Sequence, residues 1–235
     1  MRTAVFSHVR GAVWLGFFAL ILAAWAGLFL LQVNAQATYW LVFAMWGLMT
    51  AAMMAPTLVP TLRTYRDLGH TEAASARTFA SLVAGYLSVW LGYSAVAATL
   101  QIGLARLGVL GPGGSSLSWG FNAGLLALAG IYQFSRLKGA CLSQCRSPMT
   151  FFMGHWQPGS LGAAKMGVHL GVICLGCCWA LMALAFVGGT MNLLWMGIAT
   201  ALMVVEKLPE LGRYISRPLG VFLLGASLAS LLMAV

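Results

Sequence analysis

Long apolar runs separated by short polar segments dominate this sequence and leave few folds open to it. An α-helix needs about 20 mostly apolar residues to cross roughly 30 Å of hydrocarbon. The sequence predicts about seven such helices, with approximate bounds 11–31, 39–58, 79–100, 117–134, 166–187, 189–205 and 219–234. We therefore predict an all-α fold, a polytopic transmembrane helical bundle that forms a single integral membrane domain over residues 1–235.

The scarcity of charged residues supports this membrane interpretation. Charged residues make up 7% of the chain and hydrophobic residues 61%, whereas a soluble domain carries about 25% charged residues. The net charge of +9 does not indicate a nucleic acid partner, because the basic residues lie in short segments between the apolar runs. With a cytoplasmic N-terminus, every lysine and arginine except Arg106 falls on the cytoplasmic side, as the positive-inside rule expects.

The stretch CLGCCWALM, residues 174–182, places three cysteines in the fifth predicted span. At about 100° per residue, Cys174 and Cys178 share one face of a helix, Cys177 flanks that face, and Met182 continues it one turn further on. Cysteine is common in buried helices as a small apolar residue, so packing alone is one interpretation. Three cysteines within five residues instead favour a set of ligands for a soft metal ion.

Methionines and a glutamate supply further candidate ligands. Met53 and Met54 lie in a methionine-rich part of the second span, just before Pro56. A proline inside a helix removes a backbone donor, so we expect a kink and freed carbonyl groups there. Glu206 ends the sixth predicted span and could bind the metal or relay protons. The alternative for Glu206 is a carboxylate paired with Lys207 or Lys138.

Cys141 and Cys145 follow the fourth predicted span, also at i, i+4 spacing. Basic residues surround them, and nearby positive charge is expected to lower a thiol pKa and to favour the thiolate that binds metal. We interpret the two cysteines as a cytoplasmic transfer pair, with an ordinary surface loop as the alternative. The sequence leaves open whether they join the buried group.

The chemistry of these ligands favours copper(I). Thiolate and thioether sulfur together select Cu(I), whereas zinc and iron are less favoured. A zinc ion with four thiolates would carry a net charge of −2, which is costly in the middle of a membrane. The cysteine spacing does not match that of iron–sulfur proteins.

Several stretches together resemble the DUF2182 family, whose members are bacterial proteins described as predicted metal-binding integral membrane proteins. The stretches are WGLMTAAMMAPTLVP, IYQFSRLKGACLSQCRSP, GVICLGCCWALM, GGTMNLLWM and EKLP, and the resemblance extends from Met45 to Pro209. It implies a multi-pass protein of the bacterial inner membrane, and a small soluble companion protein or other complex subunits as partners. The residues that the resemblance singles out are Met53, Met54, Pro56, Gln133, Cys141, Cys145, Cys174, Cys177, Cys178, Trp179 and Glu206.

We expect the protein to bind or handle copper(I) through cysteine and methionine ligands between the second and fifth spans. The alternatives are a metal-dependent membrane oxidoreductase subunit, a quinone-linked thiol–disulfide enzyme that uses the Cys174–Cys177 CxxC pair, and a structural subunit whose sulfur atoms only pack. The sequence assigns no catalytic residue and does not decide whether the protein is an enzyme.

Overall fold

The computed structural model describes residues 2–31, 37–68, 75–111 and 113–233, and their side chains from Val13 onward apart from that of Arg213. Within these ranges every extended regular element is an α-helix, and the only β-type pairing is one bridge between Leu110 and Ser116. The helices are α1 (Arg2–Leu30), α2 (Tyr39–Leu68), α3 (Ala76–Arg106), α4 (Trp119–Gln133), α5 (Arg136–Arg146), α6 (Pro148–His155), α7 (Gly159–Ala183), α8 (Ala185–Gly188), α9 (Leu193–Lys207) and α10 (Gly212–Leu232). The all-α prediction is confirmed.

Five helical segments in the described ranges are long and apolar enough to cross a membrane. They are Val13–Leu30, Tyr39–Leu68, Ala76–Arg106, Gly159–Gly188 and Tyr214–Leu232. These segments overlap the first, second, third, fifth and seventh spans predicted from the sequence. The length and composition of these helices thus agree with a membrane protein. The direction of insertion stays a prediction.

The prediction of seven spans is not confirmed, because α4 and α9 are shorter than the fourth and sixth spans predicted from the sequence. Each has 15 residues, or about 22 Å at 1.5 Å per residue, which is less than the roughly 30 Å of a hydrocarbon core. Polar caps set their first turns: the Ser118 side chain accepts from the Phe121 amide, and the Asn192 side chain accepts from the Trp195 amide. Gly189, where we expected the sixth span to begin, has a φ of 93° and ends α8 instead.

Close packing of α3 on α7 positions the part of α7 that contains the cysteines. A Cβ atom on Gly167 would lie 2.1 Å from the backbone oxygen of Leu82, and one on Gly85 would lie 2.2 Å from that of Ala164. Glycine at both positions therefore lets the two helix backbones approach closely. α4, α5 and α9 also contact α7, while α10 packs on α4 and α1 packs on α2.

Candidate metal centre

Cys174, Cys177 and Cys178 form a compact sulfur group inside the helix bundle. Their Sγ atoms all lie within 4.8 Å of one another, and those of Cys177 and Cys178 are 3.3 Å apart. All three side chains are buried, and none is in a disulfide. One turn of α7 carries the three residues, so the helix itself holds the sulfur atoms together. Sulfur ligands in this arrangement suit a soft metal ion.

A lysine and two hydroxyl groups complete the surroundings of Cys174. The Lys207 Nζ atom lies 2.9 Å from Cys174 Sγ and donates to Thr57 Oγ1 at 2.7 Å. The Tyr86 hydroxyl lies 2.9 Å from the same sulfur. A protonated amine has donors and no acceptor, so the sulfur accepts from it. The Lys207 ammonium also places a positive charge where a metal–thiolate unit would carry a negative one.

Cys145 and Cys141, both partly buried on α5, lie next to this group. The Cys145 Sγ atom is 3.9 Å from Cys177 Sγ. Cys141 packs against the backbone of Gly176, where an added Cβ would lie 2.6 Å from its sulfur. Glycine at position 176 therefore allows α5 to approach α7 between Cys174 and Cys177. The Tyr132 hydroxyl of α4 donates a hydrogen bond to the carbonyl oxygen of Gly176.

The expected lowering of the thiol pKa is wrong for Cys141. Burial raises the pKa of the Cys141 thiol, and the nearby Cys174 sulfur raises this pKa further. Of the basic residues on α5, Lys138 is held in an ion pair with Glu206 at 2.9 Å. A raised pKa disfavours the thiolate form of Cys141, which is the form that binds a metal ion.

The methionines proposed as ligands lie in the same apolar core, and the structure ties one of them to the cysteines through its backbone. Met53, Met54 and Met182 are all buried. The carbonyl oxygen of Met54 accepts hydrogen bonds from Thr57 at 2.7 Å and from Tyr86 at 3.3 Å. Tyr86 in turn contacts Cys174. Thioether ligation by these methionines stays a prediction.

Glu206 is placed in an ion pair and outside the sulfur group. Its carboxylate lies 2.9 Å from Lys138 Nζ, and both side chains are buried. The Arg146 Nε group donates to the backbone oxygen of Glu206 at 2.9 Å. Among the described residues, the cluster that could hold a metal consists of the three α7 cysteines. The arrangement corresponds to the paired-carboxylate alternative, with Lys138 rather than Lys207 as the partner.

Sequence reasoning missed Lys207, Thr57 and Tyr86 as parts of this centre. A usable signal existed for Lys207, since a lysine beside a carboxylate at the end of an apolar helix needs a partner of its own when buried. Thr57 and Tyr86 carried no such signal, because their contacts depend on how α2, α3 and α9 pack around Cys174.

The fold and the centre together define an all-helical protein with membrane-length apolar helices and a buried three-cysteine group suited to a soft metal. The model of a family described as PpoB2, copper chaperone, matches residues 43–230, and the chain belongs to this family. The matched range contains all the cysteines. The copper-related expectation is confirmed, while the DUF2182 label stays a resemblance. Neither the curated proteins nor the solved structures gave a match.

Proposed function

We propose that this protein is a membrane-embedded copper chaperone that holds Cu(I), as cargo, at Cys174, Cys177 and Cys178. The observation that carries the proposal is the group of three buried sulfur atoms within 4.8 Å of one another, in a chain that belongs to a copper chaperone family. Thiolate sulfur is the ligand type that Cu(I) prefers. A chaperone must also release its cargo, so the centre needs exchangeable ligands.

The charges around the cysteines support a monovalent ion. Cu(I) bound by two thiolates has a net charge of −1, and the Lys207 ammonium at 2.9 Å from Cys174 Sγ offsets that charge. Compensation matters here because an unpaired buried charge is strongly unfavourable. The third cysteine provides an additional sulfur next to the first two, so the ion can change ligands one sulfur at a time. Structural zinc usually takes four ligands, which suits this group less well.

Cys145 offers a route between the buried group and the outside of the bundle. It is only partly buried, and its sulfur lies 3.9 Å from that of Cys177. We propose that Cys145, assisted by Cys141, passes copper to or from Cys177. In the orientation expected from the basic residues, α5 faces the cytoplasm of a bacterial cell. A small soluble companion protein would then donate or accept copper at this end, and Met53, Met54 and Met182 would add thioether ligands.

The proposal is tested by counting copper atoms. The full chain is purified in mild detergent, loaded with Cu(I) under reducing conditions, freed of excess copper and measured by elemental mass spectrometry. We expect about one copper per chain, and almost none in the Cys174→Ser/Cys178→Ser variant. Cys145→Ser should reach the wild-type copper content but load more slowly, since it removes the route and leaves the buried group.

Met45→Leu is the matched control, because it removes another fully buried sulfur about 12 Å along α2 from Met53. This variant should keep its copper. Equal copper content in the wild type and the double cysteine variant would contradict the proposal. If circular dichroism shows that the double variant does not fold, the single variants Cys177→Ser and Cys178→Ser replace it in the test. Each of them should lower the affinity for copper.

A further inference from the structure

Cys145 and Cys177 place two thiols from different helices next to each other. The Cys145 Sγ atom on α5 lies 3.9 Å from Cys177 Sγ on α7, and both thiols are free. Cys177 is buried, whereas Cys145 is only partly buried. The pair therefore joins a sulfur that small molecules outside the bundle can reach to a sulfur that lies inside it.

The position of Cys145 favours closure of this pair into a disulfide. The sulfur atoms of a disulfide are about 2 Å apart, so the pair must close by roughly 2 Å. Cys145 lies in the last turn of α5, one residue before that helix ends at Arg146, and helix ends adjust more readily than helix interiors. The glycine at position 176 already lets α5 approach α7 closely here.

The sulfur atoms of Cys177 and Cys178 are closer, at 3.3 Å, but these two residues are less suited to a disulfide. They are neighbours in one helix, where adjacent side chains point about 100° apart and do not face each other. A bond between them would distort the backbone of α7. Cys145 and Cys177 come from separate helices, so this constraint does not apply to them.

We infer that Cys145 and Cys177 form a reversible disulfide when a peroxide oxidises the protein, and that this bond closes the route to the buried sulfur group. An accessible cysteine beside a second, resolving cysteine is the arrangement of redox-sensitive sites.

The reaction is a two-electron oxidation of the two thiols by hydrogen peroxide. The Cys145 thiolate attacks the O–O bond, which yields a sulfenic acid at Cys145 and a hydroxide that takes up the thiol proton and leaves as water. The Cys177 thiol then attacks the sulfenic sulfur, the S–S bond forms and a second water leaves. Two thiols and one hydrogen peroxide thus give one disulfide and two water molecules.

The disulfide removes two sulfur atoms from copper exchange and leaves the rest of the buried group reduced. This consequence rests on the proposed function, in which Cys145 passes copper to or from Cys177. Cys174 and Cys178 keep their thiols, with the Lys207 ammonium 2.9 Å from Cys174 Sγ. Thiol–disulfide exchange with a reductant reopens the route, in keeping with the transient nature of disulfides in the cytoplasm.

The bond itself is tested on the full chain without copper. The reduced protein in mild detergent is treated with hydrogen peroxide, free thiols are blocked with iodoacetamide, and tryptic peptides are analysed by mass spectrometry. We expect a disulfide between the peptide of residues 139–146 and that of residues 166–207. The bond also links α5 to α7, so the oxidised chain should unfold at a higher temperature.

Single serine variants locate the bond, because Cys141 shares a tryptic peptide with Cys145, and Cys178 shares one with Cys177. Cys145→Ser and Cys177→Ser should each lose the cross-linked peptide, whereas the matched changes Cys141→Ser and Cys178→Ser should keep it. Sulfinic or sulfonic acid at Cys145 without a cross-link would overturn the inference. A cross-link that persists in Cys145→Ser would overturn it as well.

The closure of the route is measured as the rate of Cu(I) loading after peroxide has been removed. The oxidised wild type should load as slowly as reduced Cys145→Ser, and a thiol reductant should restore the faster rate. Peroxide should not slow Cys145→Ser further. Unchanged loading of a fully cross-linked wild type would overturn the closure. A reduced wild type that takes up no copper would instead contradict the proposed function and the closure with it, but not the disulfide.

Discussion

Glu206 and Lys207 are neighbours at the end of α9, yet they serve two different buried regions. Glu206 pairs with Lys138 of α5 at 2.9 Å, and two complementary charges meet there directly. Lys207 lies 2.9 Å from Cys174 Sγ and donates to Thr57, so its described contacts are a sulfur and a hydroxyl group. The first region is a closed ion pair, and the second joins a cation to a set of potential metal ligands.

From this difference we expect the Glu206–Lys138 pair to stabilise the fold and the region around Lys207 to bind copper. The carboxylate of Glu206 already has a partner of opposite charge in Lys138, and metal binding by Glu206 stays a prediction. The sulfur atoms beside Lys207 can bind a cation while the lysine balances the charge of the thiolates. Disruption of the first region should therefore affect mainly stability, and disruption of the second should affect mainly copper binding.

The largest expected effect on stability comes from Glu206→Ala. This change leaves Lys138 buried without its carboxylate, which should lower the free energy of unfolding by about 3–5 kcal/mol. Denaturant titration in detergent micelles measures the change. The matched control is Lys138→Met/Glu206→Leu, which replaces both charges and should stay close to the wild type. Loss of copper from this stable double variant would erase the distinction between the two regions.

Lys207→Met should affect copper affinity most among changes that spare the cysteines. It removes a charge-assisted contact to Cys174, worth about 1.5–3 kcal/mol, so the Kd for Cu(I) should rise by roughly 10–150-fold. Competition with a Cu(I) chelator measures the Kd. Lys207→Arg keeps the charge and should recover part of the affinity. An unchanged Kd in Lys207→Met would show that the ammonium is not the balancing charge.

A smaller effect is expected from Gly167→Ala, which disturbs the sulfur region without touching the ion pair. The added Cβ would lie 2.1 Å from the Leu82 oxygen, so α3 and α7 must separate at a cost of about 1–3 kcal/mol. The shift should move Tyr86 away from Cys174 and weaken copper binding. Gly92→Ala on α3 has nothing within 4 Å of its Cβ. This control should keep both stability and copper affinity.

Local helix geometry explains what could be predicted from the sequence. The shared face of Cys174 and Cys178 follows from residue spacing alone, and the structure places their sulfur atoms together. The start of α9 differs from the predicted start of the sixth span, because hydropathy does not register the cap at Asn192 or the positive φ of Gly189. Lys207 and Cys174 are 33 positions apart in the sequence, so their contact depends on how α9 packs against α7.

The same limit explains the error at Cys141. Its basic neighbours in the sequence suggested a lowered thiol pKa, but burial and the approach of Cys174 raise it. Lys138 is the basic residue closest to Cys141 in the sequence, and it forms an ion pair with Glu206 of another helix. Charge near a residue in the sequence is therefore a weak guide when that charge has a distant partner.

The most direct test of the central claim is copper K-edge X-ray absorption on the loaded, full-length chain, with the wild type beside Cys174→Ser/Cys178→Ser at equal added copper. Our account predicts a Cu(I) edge and sulfur neighbours in the wild type, and loss of that sulfur shell in the variant. A first shell of nitrogen and oxygen in the wild type, or a sulfur shell that persists in the variant, would contradict copper binding by the α7 cysteines.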